Sequence, residues 1–308
     1  MKISTGQLFD RAVTQMSEQK TKVVEMQTKL ATGKQIVQTS DDPDKAGLIQ
    51  RLNTAYNRQE TYESTLNSVE DRLSAEESSL MATDNILQRV RELAVQASSD
   101  TTSADDRAII ATEINALKDS LLALANTQDV NGNYVSSGSA VRTVPFAADG
   151  EGNMRYQGDN SYVAVDVSEQ RRLIMNRPGN EVFDGVVRLE IDGTGPRKAS
   201  FFNVIEDFSN ALATNDTTGI QRSLGEVDEL SATLSTSLAD VGSRQNVVES
   251  QRDVLADTKL RYKSVLSNAE DLDYASAVTK LSAELLSLEA AQASFAKISQ
   301  LTLFDYIR

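Results

Sequence analysis

Apolar residues recur every seven positions at both ends of this chain, and that spacing limits the folds open to it. Phe9, Met16, Val23, Leu30 and Val37 form one series. Leu52, Leu66, Leu73, Leu80, Leu87 and Ala94 form a second, broken by polar Gln59. Three residues further on along the same face lie Ala55, Tyr62, Val69, Val90 and Ala97, with Glu76 and Thr83 interrupting. A seven-residue step stays in register only where a helix supercoils against another helix, because a straight α-helix drifts away from it. One helix over about 44–98 would run ~80 Å at 1.5 Å per residue, which is a rod rather than a globular core.

A third helix is expected after Thr102-Ser103-Ala104-Asp105-Asp106, where a Ser or Asp can cap its start. Ile110, Ile114, Leu117, Leu121 and Leu124 step by fours and threes, and the short turn makes this an antiparallel return of the second helix. Between about 130 and 200 the pattern changes. Val163, Val165 and Val167, then Val187, Leu189 and Ile191, alternate with other residues, which reads as strands. "NRPGNE" and "IDGTGPRK" read as turns. Helix is expected again after about 202, with Val227, Leu234, Val241, Val248, Leu255, Tyr262 and Ala269 stepping by seven. The companion position is polar at Arg244, Gln251 and Thr258, so the middle of that helix faces something polar or shifts register at Gly242. A last helix over about 272–303 carries Val278, Leu281, Leu285, Leu288, Phe295 and Ile298.

The expected fold is mainly α with an inserted β-rich module: a long discontinuous bundle or coiled-coil rod built from both chain ends. A self-associating coiled coil with a loose loop is the alternative on pattern alone. Between the first two helices lies "LATGKQIVQTSDDPDKAG", residues 30–47. Gly33 can end one helix in a left-handed cap, while Asp42 can cap the next with Pro43 at its first position. Gly33, Ser40, Asp41, Asp42 and Pro43 therefore read as a joint.

Chemistry is scarce. The 308 residues contain no Cys and no His, which excludes disulfides, thiolate metal sites and the usual imidazole ligands and proton shuttles. A formal net charge of −14 argues against nucleic-acid binding and anionic membrane surfaces. No apolar run is long enough to span a membrane, and "MKISTGQLFDRAVTQM" lacks the apolar segment of a cleavable signal peptide. No phosphate-binding, dinucleotide or nucleophile motif occurs. "DVNGN" at 129–133 has the start of a calcium loop, but Ala140 stands where the closing Glu belongs. Asn215-Asp216-Thr217 matches a glycosylation sequon. The expectation is a protein that is not an enzyme and needs no cofactor or metal.

Five segments in order carry a resemblance. "LATGKQIVQTSDDPDKAG" resembles the N-terminal signature of the bacterial flagellin superfamily, and residues 90–117 resemble the rod segment that follows it. "NTQDVNGNYVSSG" is similar to the loop leaving that rod, and "LADVGSRQNVVES" and "NAEDLDYASAVTKLSAEL" resemble the two C-terminal signatures. The ending "ISQLTLFDYIR" resembles the proteins that join hook to filament more than it does the filament subunit, which stays the alternative.

The resemblance implies a structural subunit of the bacterial flagellum, exported unfolded through the type III apparatus without a cleaved signal and polymerised outside the cell. It implies terminal helices (1–42 plus 266–308) that are disordered in the monomer and order on assembly, a helical rod domain (43–140 plus 203–265) and a small β-rich outer domain (141–202). The assembly interface would use Phe9, Met16, Val23, Leu30, Val278, Leu285, Phe295, Leu303 and Phe304. Implied partners are further copies in a ring, another hook-associated protein on the hook side, flagellin on the filament side, and an export chaperone at the C-terminal region. Nucleic acid and membrane insertion are not implied. Arg89, Leu93 and Glu113 match positions through which filament flagellins are recognised by an innate immune receptor, Toll-like receptor 5. An intracellular scaffold or an enzyme hidden in the β-module are the readings from other classes.

Overall fold

The computed structural model describes residues 5–150, 154–184, 186–189 and 196–306. The chain divides into two compact units: residues up to 58 together with those from 257 onward, and residues 59–256.

The second unit holds the buried core. Helix α2 (Pro43–Ala97) places Leu66, Leu73, Leu80, Leu87 and Ala94 in it, each almost wholly buried, so the seven-residue seam is a packed seam here. Helix α3 (Ala104–Ala125) returns antiparallel along α2: Ser79 donates to the Leu124 carbonyl at 2.8 Å, and Arg89 meets Glu113 at 2.8 Å. Its start is fixed by a capping box, with the Ser103 hydroxyl accepting from the Asp106 N–H and the Asp106 carboxylate accepting from the Ser103 N–H.

The segment read as β-rich forms three separate two-stranded antiparallel hairpins rather than one sheet. Strand β1 (Phe146–Ala148) pairs with β2 (Met154–Tyr156), β3 (Ala164–Asp166) with β4 (Arg172–Ile174), and β5 (Val186–Leu189) with β6 (Pro196–Ala199). Two sequence expectations are corrected. "NRPGNE" does not turn between strands but opens a short helix, α4 (Gly179–Phe183), with Pro178 at its N-cap. In β5 the buried residue is Val186, opposite buried Ala199, and Val187 is exposed, so the apolar alternation has the opposite parity. The reason is tertiary: buried Val186 and Ala199 belong to the same core cluster as Phe146, Phe183, Phe201 and Phe202, whose rings contact one another at centroid distances of 5.1–6.1 Å. Ile191 lies outside the described residues.

The helical return after residue 200 is two helices. Helix α5 (Phe201–Ala213) is capped by Ser200 and ends at Thr214, and α6 runs Thr217–Glu270. Between them Asn215 adopts φ 56°, the Asp216 N–H bonds the Ala211 carbonyl and the Asn215 N–H bonds Leu212. This is a Schellman-type stop built on asparagine, the side chain that tolerates left-handed backbone best after glycine. The sequon asparagine thus serves the fold, and its side-chain oxygen accepts from Arg107, which also donates to the carbonyls of Ala97 and Ser99.

Helix α6 lies antiparallel to α2 in this unit, with Arg91 on Asp228 at 2.6 Å and Gln245 on Glu77 at 2.7 Å. It passes Gly242 without a break. Two of the polar companion positions face the hairpin segment: Arg244 donates to the Asn176 carbonyl at 3.1 Å, and Gln251 is buried beside Arg171.

The first unit contains α1 (Thr5–Thr32), α7 (Tyr274–Tyr306) and the adjoining ends of α2 and α6. Helices α1 and α7 pair antiparallel: Phe9 meets Phe295, Gln19 donates to Ser287 at 2.9 Å, and the end of α1 meets the start of α7.

Candidate functional site

The terminal helix pair and the turn that follows α1 are the part of the molecule where sequence pattern and burial disagree most. In the second unit the seven-residue seams are buried almost completely. In the first, Val23 and Ala277 are the only apolar residues counted as buried among the described ones.

The expected interface residues fall into distinct classes. Phe9 is 45% exposed although its ring lies 4.9 Å from that of Phe295, which is half-buried. Met16 and Leu30 are half-buried, Val23 is buried, and Val278 and Leu285 are exposed. Leu303 and Phe304 continue the backbone of α7, and their side chains lie outside the described ones.

The seven-residue template missed a second set of apolar side chains. Val13, Val24 and Leu286 are exposed, Leu286 at 68%. Consecutive residues on a helix point ~100° apart. Val23 next to Val24, and Leu285 next to Leu286, therefore give each helix apolar residues on more than one face. In α1 Val23 is covered and Val24 is open, whereas in α7 Leu285 and Leu286 are both open and the half-buried residues include Leu281, Leu288 and Phe295. The adjacent apolar pairs were the signal available in sequence. Alongside Val24 a groove of about 410 Å³ is lined by Lys20, Glu25, Lys29, Val37 and Asp41 among others.

The turn after α1 is built as its residues suggest, and it is also stapled to the C-terminal half of the chain. Gly33 sits at φ +70° with its N–H on the Lys29 carbonyl at 2.9 Å, a left-handed helix stop. An added Cβ would stand 2.8 Å from the Tyr274 hydroxyl, so a side chain here is disfavoured on two grounds, the left-handed backbone and this close approach. Residues 33–35 then pair with 270–272: Gln35 N–H to the Glu270 carbonyl at 2.7 Å, Leu272 N–H to the Gly33 carbonyl at 2.9 Å, and a Lys34–Glu270 ion pair.

Asp41 accepts from the N–H groups of Gln38 and Val37 (3.2 and 3.1 Å), which holds its carboxyl below the ordinary range. Asp42 caps α2 by accepting from the Lys45 N–H at 3.1 Å, and Pro43 is the first helical residue. Ser40 is exposed, and its hydroxyl donates to Gln38 at 3.4 Å. All of the acids in this turn serve backbone groups.

Arg89, Leu93 and Glu113 do not present one surface. Arg89 and Glu113 pair in solvent, with Glu92 joining them, whereas Leu93 is 2% exposed in the core. "DVNGN" closes on itself: Asp129 accepts from the N–H groups of Asn131 and Asn133 at 2.8 and 3.0 Å, and it faces Arg72 at 3.6 Å. Among the described residues no helix is long and apolar enough to cross a membrane, and no cluster of three potential metal ligands occurs.

Comparison with known proteins agrees with this arrangement. The profile of the bacterial flagellin N-terminal helical region matches residues 3–140, and that of the bacterial flagellin C-terminal helical region matches residues 224–307. The chain is 27% identical to flagellar hook-associated protein 3 of Escherichia coli (strain K12), covering 99% of each. It is 25% identical to the protein of that name from Salmonella typhimurium, covering 100% of each. Among solved structures, flagellar hook-associated protein 3 from Legionella pneumophila superposes with a TM-score of 0.64 at 19% identity, over 71% of this chain and 98% of that one. The chain belongs to the bacterial flagellin superfamily, a family of structural proteins rather than enzymes, and it resembles flagellar hook-associated protein 3 along its whole length.

Proposed function

We propose that this chain is a structural subunit of the bacterial flagellum that joins hook to filament by helical polymerisation with the neighbouring axial proteins. The observation that carries the reading is the likeness to hook-associated protein 3 over the full length of both chains. Supporting it is the contrast between the two units, in which one heptad code is filled in residues 59–256 and left open in α1 and α7. Covering an exposed Leu or Phe is worth ~1.5–3 kcal/mol, so the open stripes are a substantial reserve for association with other subunits.

In this reading Phe9, Met16, Val23, Leu30, Val278, Leu285, Phe295, Leu303 and Phe304 form the assembly interface, and Val24 and Leu286 extend it. The segments 1–42 and 266–308 gain stable order only on assembly, since few of their side chains are buried within one chain among the described residues. The turn Gly33–Pro43 is the joint between them and the helical rod (43–140 plus 203–265), which carries the outer module (141–202). The subunit forms a ring with copies of itself, with another hook-associated protein on the hook side and flagellin on the filament side. It reaches that place by type III export without a cleaved signal, escorted by a chaperone bound near the C-terminus.

Deleting the gene and imaging the cells tests the reading. It predicts hooks without filaments and flagellin shed into the medium, restored by the wild-type chain and not by Phe9→Asp. Filaments of reduced length still attached to hooks would overturn it in favour of the filament subunit.

A further inference from the structure

Glu76 breaks the apolar seam of α2, yet it is 4% exposed. It lies where the segment after β4 meets α6 and α2, and the charged groups that act on it come from all three. Arg72 lies one turn away on its own helix, Arg177 is on the hairpin segment, and Arg244 and Asp240 are on α6. Arg177 pairs with Asp240 at 2.5 Å and donates to Ser237 at 3.0 Å. Arg244 pairs with the same Asp240 at 2.8 Å and reaches the Asn176 carbonyl. Arg72 is turned towards Tyr134, Val135 and Asp129. Each arginine thus spends its terminal nitrogens on other acceptors, while Arg72 Nε, Arg177 Nε and Glu76 Oε2 are all buried without a hydrogen-bond partner.

A buried carboxylate with an unsatisfied oxygen is costly, whereas the neutral acid is far less so. We propose that Glu76 is a proton-governed clasp: as the neutral acid it sits quietly in the seam between the hairpin segment 171–178 and the long helices, and its ionisation loosens that seam. Burial pushes the carboxyl from its ordinary 4.5 up to about 7, against the pull of Arg244, Arg177 and Arg72 and with a small push from Asp240. The folded chain then holds the proton more tightly than the unfolded one. The closed seam is most stable below about pH 4.5 as far as this group is concerned, and that advantage is lost as pH rises through about 7. The inference stands apart from the role in the flagellum.

The test is equilibrium urea unfolding of the full chain between about pH 4.5 and about pH 8, wild type beside Glu76→Gln, which keeps the shape and cannot ionise. The expected result is that the wild-type unfolding constant rises, relative to that of the variant, by on the order of 10²-fold across the range. Superimposable pH profiles would overturn the proposal. Should Glu76→Gln not fold, the carbon-13 resonance of the Glu76 carboxyl in the wild type decides. A midpoint near 7 supports the clasp, and one at or below the ordinary value refutes it.

Discussion

Replacing Arg72 by methionine keeps most of its aliphatic stem and removes its charge and donors. The Arg72 side chain is 4% exposed and that of Asp129 opposite it 7%, so this ion pair is buried on both sides. Arg72 also donates to the Tyr134 and Val135 carbonyls at 3.1 and 2.9 Å. Stranding a buried carboxylate costs about 3–5 kcal/mol. Asp129 keeps two backbone N–H donors, which places the loss at the lower end of that range. The two carbonyls that lose their donor add about 1 kcal/mol or more.

The expected total is about 4 kcal/mol. With a urea slope of ~2–3 kcal/mol per molar, the midpoint should fall by ~1.3–2 M, followed by far-UV circular dichroism. Adding Asp129→Asn to Arg72→Met removes the unpaired charge and should recover ~1–3 kcal/mol, a coupling measured by the double-mutant cycle. A midpoint within about 0.3 M of wild type for Arg72→Met, or a double variant no better than the single, would refute the reasoning.

Two more outcomes follow from the terminal unit. Gly33→Ala should destabilise the 33–35/270–272 pairing by ~1–2 kcal/mol, from left-handed backbone strain and the approach to Tyr274; faster amide exchange at Gln35 and Leu272 reads the loss, and adding Tyr274→Phe should restore only the steric part. Limited proteolysis of the monomer should trim about 40 residues from each end and leave a core of roughly 45–265, whereas termini as resistant as the core would contradict the proposed ordering on assembly.

The helical framework was legible because a seven-residue period is written in the local sequence and needs no knowledge of the partner. Cap chemistry is equally local, so Gly33, Asp42 and Ser103 could be read directly. The middle of the chain was harder for a physical reason. Strands of three or four residues are too short to carry a period, and their parity follows their neighbours, as Val186 facing inward and Val187 outward illustrates. The break between α5 and α6 has no glycine or proline to announce it, since Asn215 takes the left-handed turn.

At the candidate site, the template followed one face per helix and therefore passed over Val24 and Leu286 on the other. Glu76 reads in sequence only as an interruption of the seam, and Arg72 falls in no pattern there. Only the three-dimensional arrangement brings the hairpin segment and α6 against them.

The central claim concerns where the subunit sits, and labelling the chain on purified flagella measures that directly. An epitope inserted at exposed Gly150, decorated with gold-conjugated antibody and viewed by electron microscopy, should give a single band at the hook–filament boundary. Label distributed along the filament would contradict the account.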